Sequence, residues 1–385
     1  SKSSSSSGST SAASSVTTQE VRPDMSPGAD IRVMGTGGAG CNAVKRMMEN
    51  KVQGVEFIAV NTDIQALYHN PAGKKITIGR GTTRGLGAGA NPDIGKRAAE
   101  ESSEEIKAAI DGADMLFITA GLGGGTGSGS VSVLAELARG MGILTVGVVT
   151  KPFSFEGLKR KKQAEEALAN LRGKVDTLIT IPNDKILSLI DKTTPLTEAF
   201  AIVDEVLQHA IEGISNIITV HGLVNVDFAD VKAIMSDAGT ALMGIGYGTG
   251  DSRAAEAARA AVDSPLLELS INGANGILFI EVDEAARIIT EAADPEANII
   301  FGAVIDDAYT GQIKCTVVAT GFDAEPLSTV QSMGMPRMKS FGSHPVEAEA
   351  KREEGRPTAN ITKATAGFSE EELEVPAFMR KPISK

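Results

Sequence analysis

The stretch MLFITAGLGGGTGSGSVSVLAELARG, residues 115–140, decides the fold. Its first five residues form an apolar run of strand length. Six glycines follow between positions 121 and 129, and VSVLAELARG then carries a helical pattern. A strand that runs through a glycine-rich turn into a helix brings backbone N–H groups together at the positive end of the helix dipole, which makes a site for an anion. Thr126 and Ser128 add hydroxyl donors to that turn. There is no GxxxxGK[ST] and therefore no P-loop lysine, so a phosphate held here must be neutralised by amides, the helix dipole and Mg²⁺.

Upstream, MGTGGAGCN (34–42) places Gly35, Gly37 and Gly40 in GxGxxG spacing between the apolar IRVM (31–34) and the helical NAVKRMMEN. Taken alone, this spacing also suits a dinucleotide-binding dehydrogenase. The acid expected about 20 residues later is poorly placed, because Asp63 lies 28 residues beyond Gly35. A dehydrogenase also leaves the second glycine loop unexplained. A third loop, RGLGAGANPDIG (84–95), adds Ala88 and Gly89 to the candidate cradle. The apolar runs FIAV (57–60), ILTVGVVT (143–150) and TLITI (177–181) recur between helix-like stretches. This is the texture of an α/β fold with a parallel, Rossmann-like sheet covered by helices.

After Pro195, apolar residues from Phe200 to Ile218 fall at three- and four-residue steps and predict one long central helix, from Thr197 to His221. A second, smaller α/β segment follows, with GILFIEV (276–282), NIIFGAVID (298–306) and IKCTVVATGF (313–322) as its strands. The expected organisation is a disordered arm (1–29), a nucleotide domain (30–195), the central helix (196–222), a second domain (223–323), a flexible linker (324–368) and a docking peptide (369–385). The Ser-rich arm reads as a polar tail, with the remnant of an organelle transit peptide as the alternative.

At 385 residues the chain is long enough for two domains. Trp is absent and aromatics make up only 4%, so aliphatic side chains must fill the core. A net charge of −12 disfavours nucleic acid and anionic lipid as main partners. Cys41 and Cys315 lack metal-ligand spacing, and a reducing compartment fits them best. No apolar run reaches the roughly 18 residues of a membrane span, and no secretory signal opens the chain. The expectation is a soluble protein.

GGGTGSG (123–129), NTD (61–63), GLGAGANP (85–92), TKPFSFEGLKR (150–160), PND (182–184) and NVDFAD (225–230) occur in the order in which the tubulin superfamily carries them. Within that superfamily the sequence resembles the FtsZ family of bacterial and plastid cell-division GTPases. The resemblance covers roughly residues 30–322 and returns at VPAFMRKP, which looks bacterial. Ala39 departs from it, standing where a glycine is common, and Cys41 follows the loop.

The resemblance implies a GTPase fold with GTP or GDP, and Mg²⁺ accompanying the nucleotide. Gly37, Gly38, Asn42, Ala88, Gly89, Gly124, Gly125, Thr126 and Gly127 would line the phosphates. Glu156 and Arg160 would flank ribose and phosphate. Asn183 and Asp204 would contact guanine, with Phe200 against its face. Each also has a plainer reading: Asp204 as a solvated helix charge, Asn183 as a turn residue, and Glu156 with Arg160 as an exposed helix pair. The resemblance further implies head-to-tail filaments of the chain itself, a cytokinetic ring in the cytoplasm or, alternatively, the plastid stroma, and membrane-tethering and regulatory partners on residues 369–385. Contact with the membrane would be indirect.

Asp227 and Asp230, with Asn225, are the candidate catalytic residues, since two carboxylates three positions apart can orient a water. Asp227 reads equally as the N-cap of a helix from Phe228. At about 1.5 Å per residue, a continuous central helix sets Asp204 roughly 25 Å or more from the 225–230 loop. These carboxylates can then serve only the nucleotide of a stacked neighbour, and such a heterologous contact, left unclosed, makes a filament. A filament protein that does not hydrolyse is the alternative.

Overall fold

The computed structural model describes residues 28–187, 194–220, 226–267, 276–280, 288–289, 298–302 and 312–322. Asn225, His221, the N-terminal arm up to residue 27, and the expected linker and C-terminal peptide lie outside them.

The strands are β1 (Ile31–Thr36), β2 (Glu56–Asn61), β3 (Lys74–Thr77), β4 (Met115–Gly121), β5 (Leu144–Lys151), β6 (Thr177–Pro182), β7 (Gly239–Thr249), β8 (Gly276–Ile280), β9 (Asn298–Gly302) and β10 (Gln312–Phe322). They form one sheet in the order β3-β2-β1-β4-β5-β6-β7-β10-β8-β9. Every pairing from β3 to β7 is parallel, and β10 runs antiparallel to both β7 and β8. The β6–β7 pairing, Thr177 opposite Gly239, carries the sheet across the expected domain boundary without a break.

Alternation along the buried strands sorts side chains to two faces. Ile31 and Val33 of β1, with Met115 and Phe117 of β4, join a core shared with Ala43, Val44 and Met47 of the helix Gly37–Glu49 and with the central helix, Leu196–Thr219. Met34, Leu116 and Ile118 point the other way, onto the helices Pro92–Glu101, Thr126–Gly140 and Leu158–Leu171. The architecture is three-layered, and its core is aliphatic apart from a few phenylalanines such as Phe117 and Phe153.

β7 has no counterpart in the apolar pattern because Gly244, Gly246 and Gly248 alternate along it. The helix Arg253–Val262 lies directly on the backbone at these positions. A Cβ at the three glycines would sit 2.0, 2.1 and 1.9 Å from carbonyl oxygens of that helix, so only glycine allows the approach.

Among the described residues no helix is long and apolar enough to cross a membrane. In the central helix, burial pushes the His209 imidazole down to about 3, with Lys314 adding to the effect. A folded value below the unfolded one gives stability that is full above about pH 6.5 and drains away as pH falls toward 3. We expect thermal unfolding across that window to show a loss that His209→Gln removes.

Candidate nucleotide cleft

Because β1, β4, β5 and β6 are parallel, the loops that follow them gather at one edge of the sheet, where open α/β folds hold ligands. A cleft of about 310 Å³ lies there. Of the residues expected to hold the nucleotide, Gly38, Gly124, Gly125, Thr126, Gly127, Glu156, Arg160, Asn183, Phe200 and Asp204 all line it. Gly37, Asn42, Ala88 and Gly89 do not.

Gly37 sits behind the wall. It has φ +72, and a Cβ there would lie 2.7 Å from Gly127 N, so the first two glycine loops are in backbone contact. Gly125 is equally constrained, because a Cβ would meet Asn91 N at 2.7 Å and the Ala88 methyl at 3.0 Å. Ala88 is buried and backs the second glycine loop, while Gly89 is exposed. The third glycine loop therefore braces the second rather than forming the wall itself. Ser128, expected as a hydroxyl donor to the anion, is turned inward instead: its Oγ accepts from Gly123 N at 2.8 Å and holds the loop shut. Thr126 Oγ1 lies 2.6 Å from Thr62 Oγ1, which fixes the start of the helix Thr126–Gly140.

Asn42 is exposed on the helix Gly37–Glu49, one turn before Arg46, whose Nε is 3.9 Å from Asp204 Oδ2. No sequence signal marks that ion pair, although the i,i+4 spacing to Asn42 puts Arg46 on the same face. Burial pushes the Asp204 carboxyl up to about 6, and Arg46 pulls against that rise. The plainer reading of Asp204 as a solvated charge is thus corrected, since its side chain is only 18% exposed. Asn183 is buried, and its Oδ1 has no hydrogen-bond partner among the described residues. An orphaned acceptor at the cleft wall fits a ligand that brings an N–H.

Glu156 belongs to a short turn, Ser154–Glu156. Its Oε1 accepts from Phe153 N at 2.9 Å, and its other oxygen pairs with Arg160. The expected i,i+4 pair is present, but it stands in the cleft wall with Glu156 largely buried. Phe200 packs edge-on against Phe153, with ring centroids 5.3 Å apart, and remains 40% exposed as an apolar surface in the wall. Leu122, Pro152, Val203 and Leu207 complete the apolar lining. Leu122 and Pro152 lie inside motifs quoted above, whereas Val203 and Leu207 follow the ordinary core pattern of the central helix, so nothing in the sequence marks those two. Cys41, next to the first loop, is buried, and its thiol is pushed up to about 12, which makes it inert as a nucleophile.

The carboxylate pair is at the opposite edge. Asp227 caps the helix Phe228–Met235, its Oδ1 accepting from Asp230 N at 2.8 Å, and both residues are exposed. The central helix ends at Thr219, which packs against Gly54, just before β2 begins. The far end of the capped helix is held by Thr177, the first residue of β6, whose Oγ1 donates to Met235 O at 2.6 Å. Both ends of the segment that carries the pair thus sit where strands start, and the cleft sits where they finish. A strand of six residues spans roughly 20 Å.

Residues 30–191 match the model of the tubulin/FtsZ family GTPase domain, and residues 239–323 match that of the FtsZ family C-terminal domain. Among solved structures, the empty dimer of M. jannaschii FtsZ is 44% identical, covers 79% of this chain and 94% of its own, and superposes with a TM-score of 0.75. A mutant of that FtsZ is 47% identical, covers 76% and 91%, and has a TM-score of 0.74. CetZ2 from Haloferax volcanii, solved as a GTPγS-bound protofilament, shares the fold at 20% identity, covering 75% and 92% with a TM-score of 0.64.

Proposed function

Since this chain belongs to the FtsZ family and carries the GTPase domain it shares with tubulin, we propose that it binds GTP in the cleft and hydrolyses it only within a head-to-tail filament. The observation that carries this reading is the separation of the cleft from the Asp227–Asp230 pair, at opposite ends of the sheet's parallel strands. Stacking one copy on another brings the second copy's carboxylates to the first copy's γ-phosphate.

Amides of 124–127 and the dipole of the helix that starts at Thr126 hold the phosphates and meet the charge that builds in the transition state. A Mg²⁺ accompanying the nucleotide would supply further neutralisation of that charge. Arg160 and Glu156 flank the sugar, Phe200 covers the base, and Asn183 and Asp204 read its edge. An ionised Asp204 accepts from both N1–H and the N2 amino group of guanine, a pattern that adenine lacks. The neighbour's Asp227 and Asp230 orient a water whose oxygen attacks the γ-phosphorus. The bond to the bridging oxygen breaks, leaving GDP and phosphate, and the water's proton passes toward a carboxylate.

We further propose a second domain at 223–323 that carries this catalytic edge, a role in a cell-division ring, and recruitment of membrane tethers by residues 369–385. Truncation after Phe322 should leave turnover and assembly near their original levels while abolishing partner recruitment. Phosphate release with GTP against ATP, read together with sedimentation in Mg²⁺, tests the core of the proposal. Release that is independent of polymer mass would contradict it.

The pH dependence follows from Asp204. Its raised value means that the empty cleft favours the neutral acid below about pH 6, whereas guanine needs the ionised form. Affinity for GDP should be level above that pH and weaken by up to about tenfold per unit below it. Asp204→Asn should bind weakly and flatten the profile; a titration by fluorescence or calorimetry checks both.

A further inference from the structure

The helix Thr126–Gly140 begins at the phosphate loop and spans about 21 Å to the opposite edge of the sheet. At its last turn the Arg139 guanidinium donates to Gly173 O at 2.7 Å, lies 3.5 Å from the Asp176 carboxylate and pairs with the Asp237 carboxylate. Asp176 is buried. Its Oδ2 accepts from Thr145 N at 2.8 Å, and its backbone oxygen accepts from Gly239 N at 3.0 Å. Asp237 lies two residues beyond the helix that Asp227 caps and has φ +51, a left-handed conformation that glycine adopts at lower cost. Asp is among the few non-glycine residues that enter this region, and its carboxylate there pairs with Arg139.

We propose that Arg139 is a positioning residue for hydrolysis: by gripping Asp237 it sets the angle at which this subunit offers Asp227 and Asp230 to its neighbour. The inference rests on the shared-site reading above. A continuous mechanical path then runs from a subunit's own phosphate loop, along the helix Thr126–Gly140, through Arg139 and Asp237, to the helix that bears the carboxylates. The pair is partly exposed, and exposed ion pairs add little to stability. Its worth is in geometry, since misplacing a catalytic group by an ångström costs far more than such a contact is worth in folding.

The decisive variant is Asp237→Gly, because it removes the grip while relieving the backbone. Its thermal midpoint should not fall below that of the unmodified chain, and its GDP affinity should stay within about twofold. Turnover per mass of sedimented polymer should drop roughly tenfold. Arg139→Ala should give the same drop, and the double variant should lose no more than either alone.

Mixing locates the defect. Asp237→Gly chains mixed with Gly125→Val chains, which have no usable phosphate loop but an intact catalytic edge, should regain turnover. Mixed with Asp230→Ala chains they should not. The reverse pattern, or unmodified turnover in Asp237→Gly alone, would overturn the proposal, since the arginine would then act on its own subunit's nucleotide or on nothing. Failure of the shared-site reading itself looks different: Gly125→Val and Asp230→Ala chains would not rescue each other.

Discussion

Asp230→Ala should bind GTP within about threefold of the unmodified chain while its turnover falls on the order of 10²- to 10³-fold, the usual loss when a positioned proton-transfer group is removed. Asp230 is exposed, and no described residue pairs with its side chain, so the substitution removes a carboxylate without breaking a contact. Its filaments in GTP should persist longer, because the step that weakens the junction is slowed. Asp227 is less clean, since its carboxylate also caps the helix and a change to alanine would cost about 1 kcal/mol of that helix's stability. Asp227→Asn keeps the cap and should lose turnover nearly as severely. A drop in affinity that matches the drop in turnover would move both residues into a binding role.

Gly125→Val should abolish nucleotide binding, weakening affinity by about 100-fold or more as judged by calorimetry with GDP. The Cβ has nowhere to go: Asn91 N stands 2.7 Å away and the Ala88 methyl 3.0 Å away, and both belong to a loop that cannot retreat without releasing the helix Pro92–Glu101. The phosphate loop must shift instead, and its amides lose their common focus. The carboxylate edge, on the far side of the sheet, should stay intact. Unchanged GDP affinity in this variant would remove the 124–127 loop from the phosphate site.

Much of this is legible in the sequence. The runs at 31–34, 57–60, 115–119, 143–150 and 177–181 all become strands, and the periodic stretch after Pro195 becomes the central helix with its ends shifted by one or two residues. β3 is four residues long and largely exposed, too short to register as a pattern. β7 was hidden by its glycines, whose purpose is set by a helix that arrives later in the chain. The continuity of the sheet through β6 and β7 could not be read either, because strand pairing leaves no trace in the pattern of one strand.

In the cleft, the glycine loops announced themselves through composition. Asp204, Asn183 and Phe200 came only from family resemblance, since an acid, an amide and an aromatic ring with no shared spacing are ordinary residues until folding brings them together. Ser128 faces the loop instead of the cleft, and sequence does not say which way a hydroxyl in a glycine loop turns. The Arg139–Asp237 contact joins residues 98 positions apart and had no local signal at all.

The central claim is that hydrolysis belongs to the junction and not to the subunit, and mixing two inactive chains tests it most directly. Gly125→Val supplies an intact carboxylate edge and no nucleotide; Asp230→Ala supplies nucleotide and no catalytic carboxylate. Each alone should be nearly silent. Mixed in equal amounts with GTP and Mg²⁺, and confirmed to co-sediment, they should release phosphate well above the sum of the separate rates, short of the unmodified rate because only one orientation of each mixed junction is complete. Co-sedimenting chains whose phosphate release stays at the sum of the two would contradict the account.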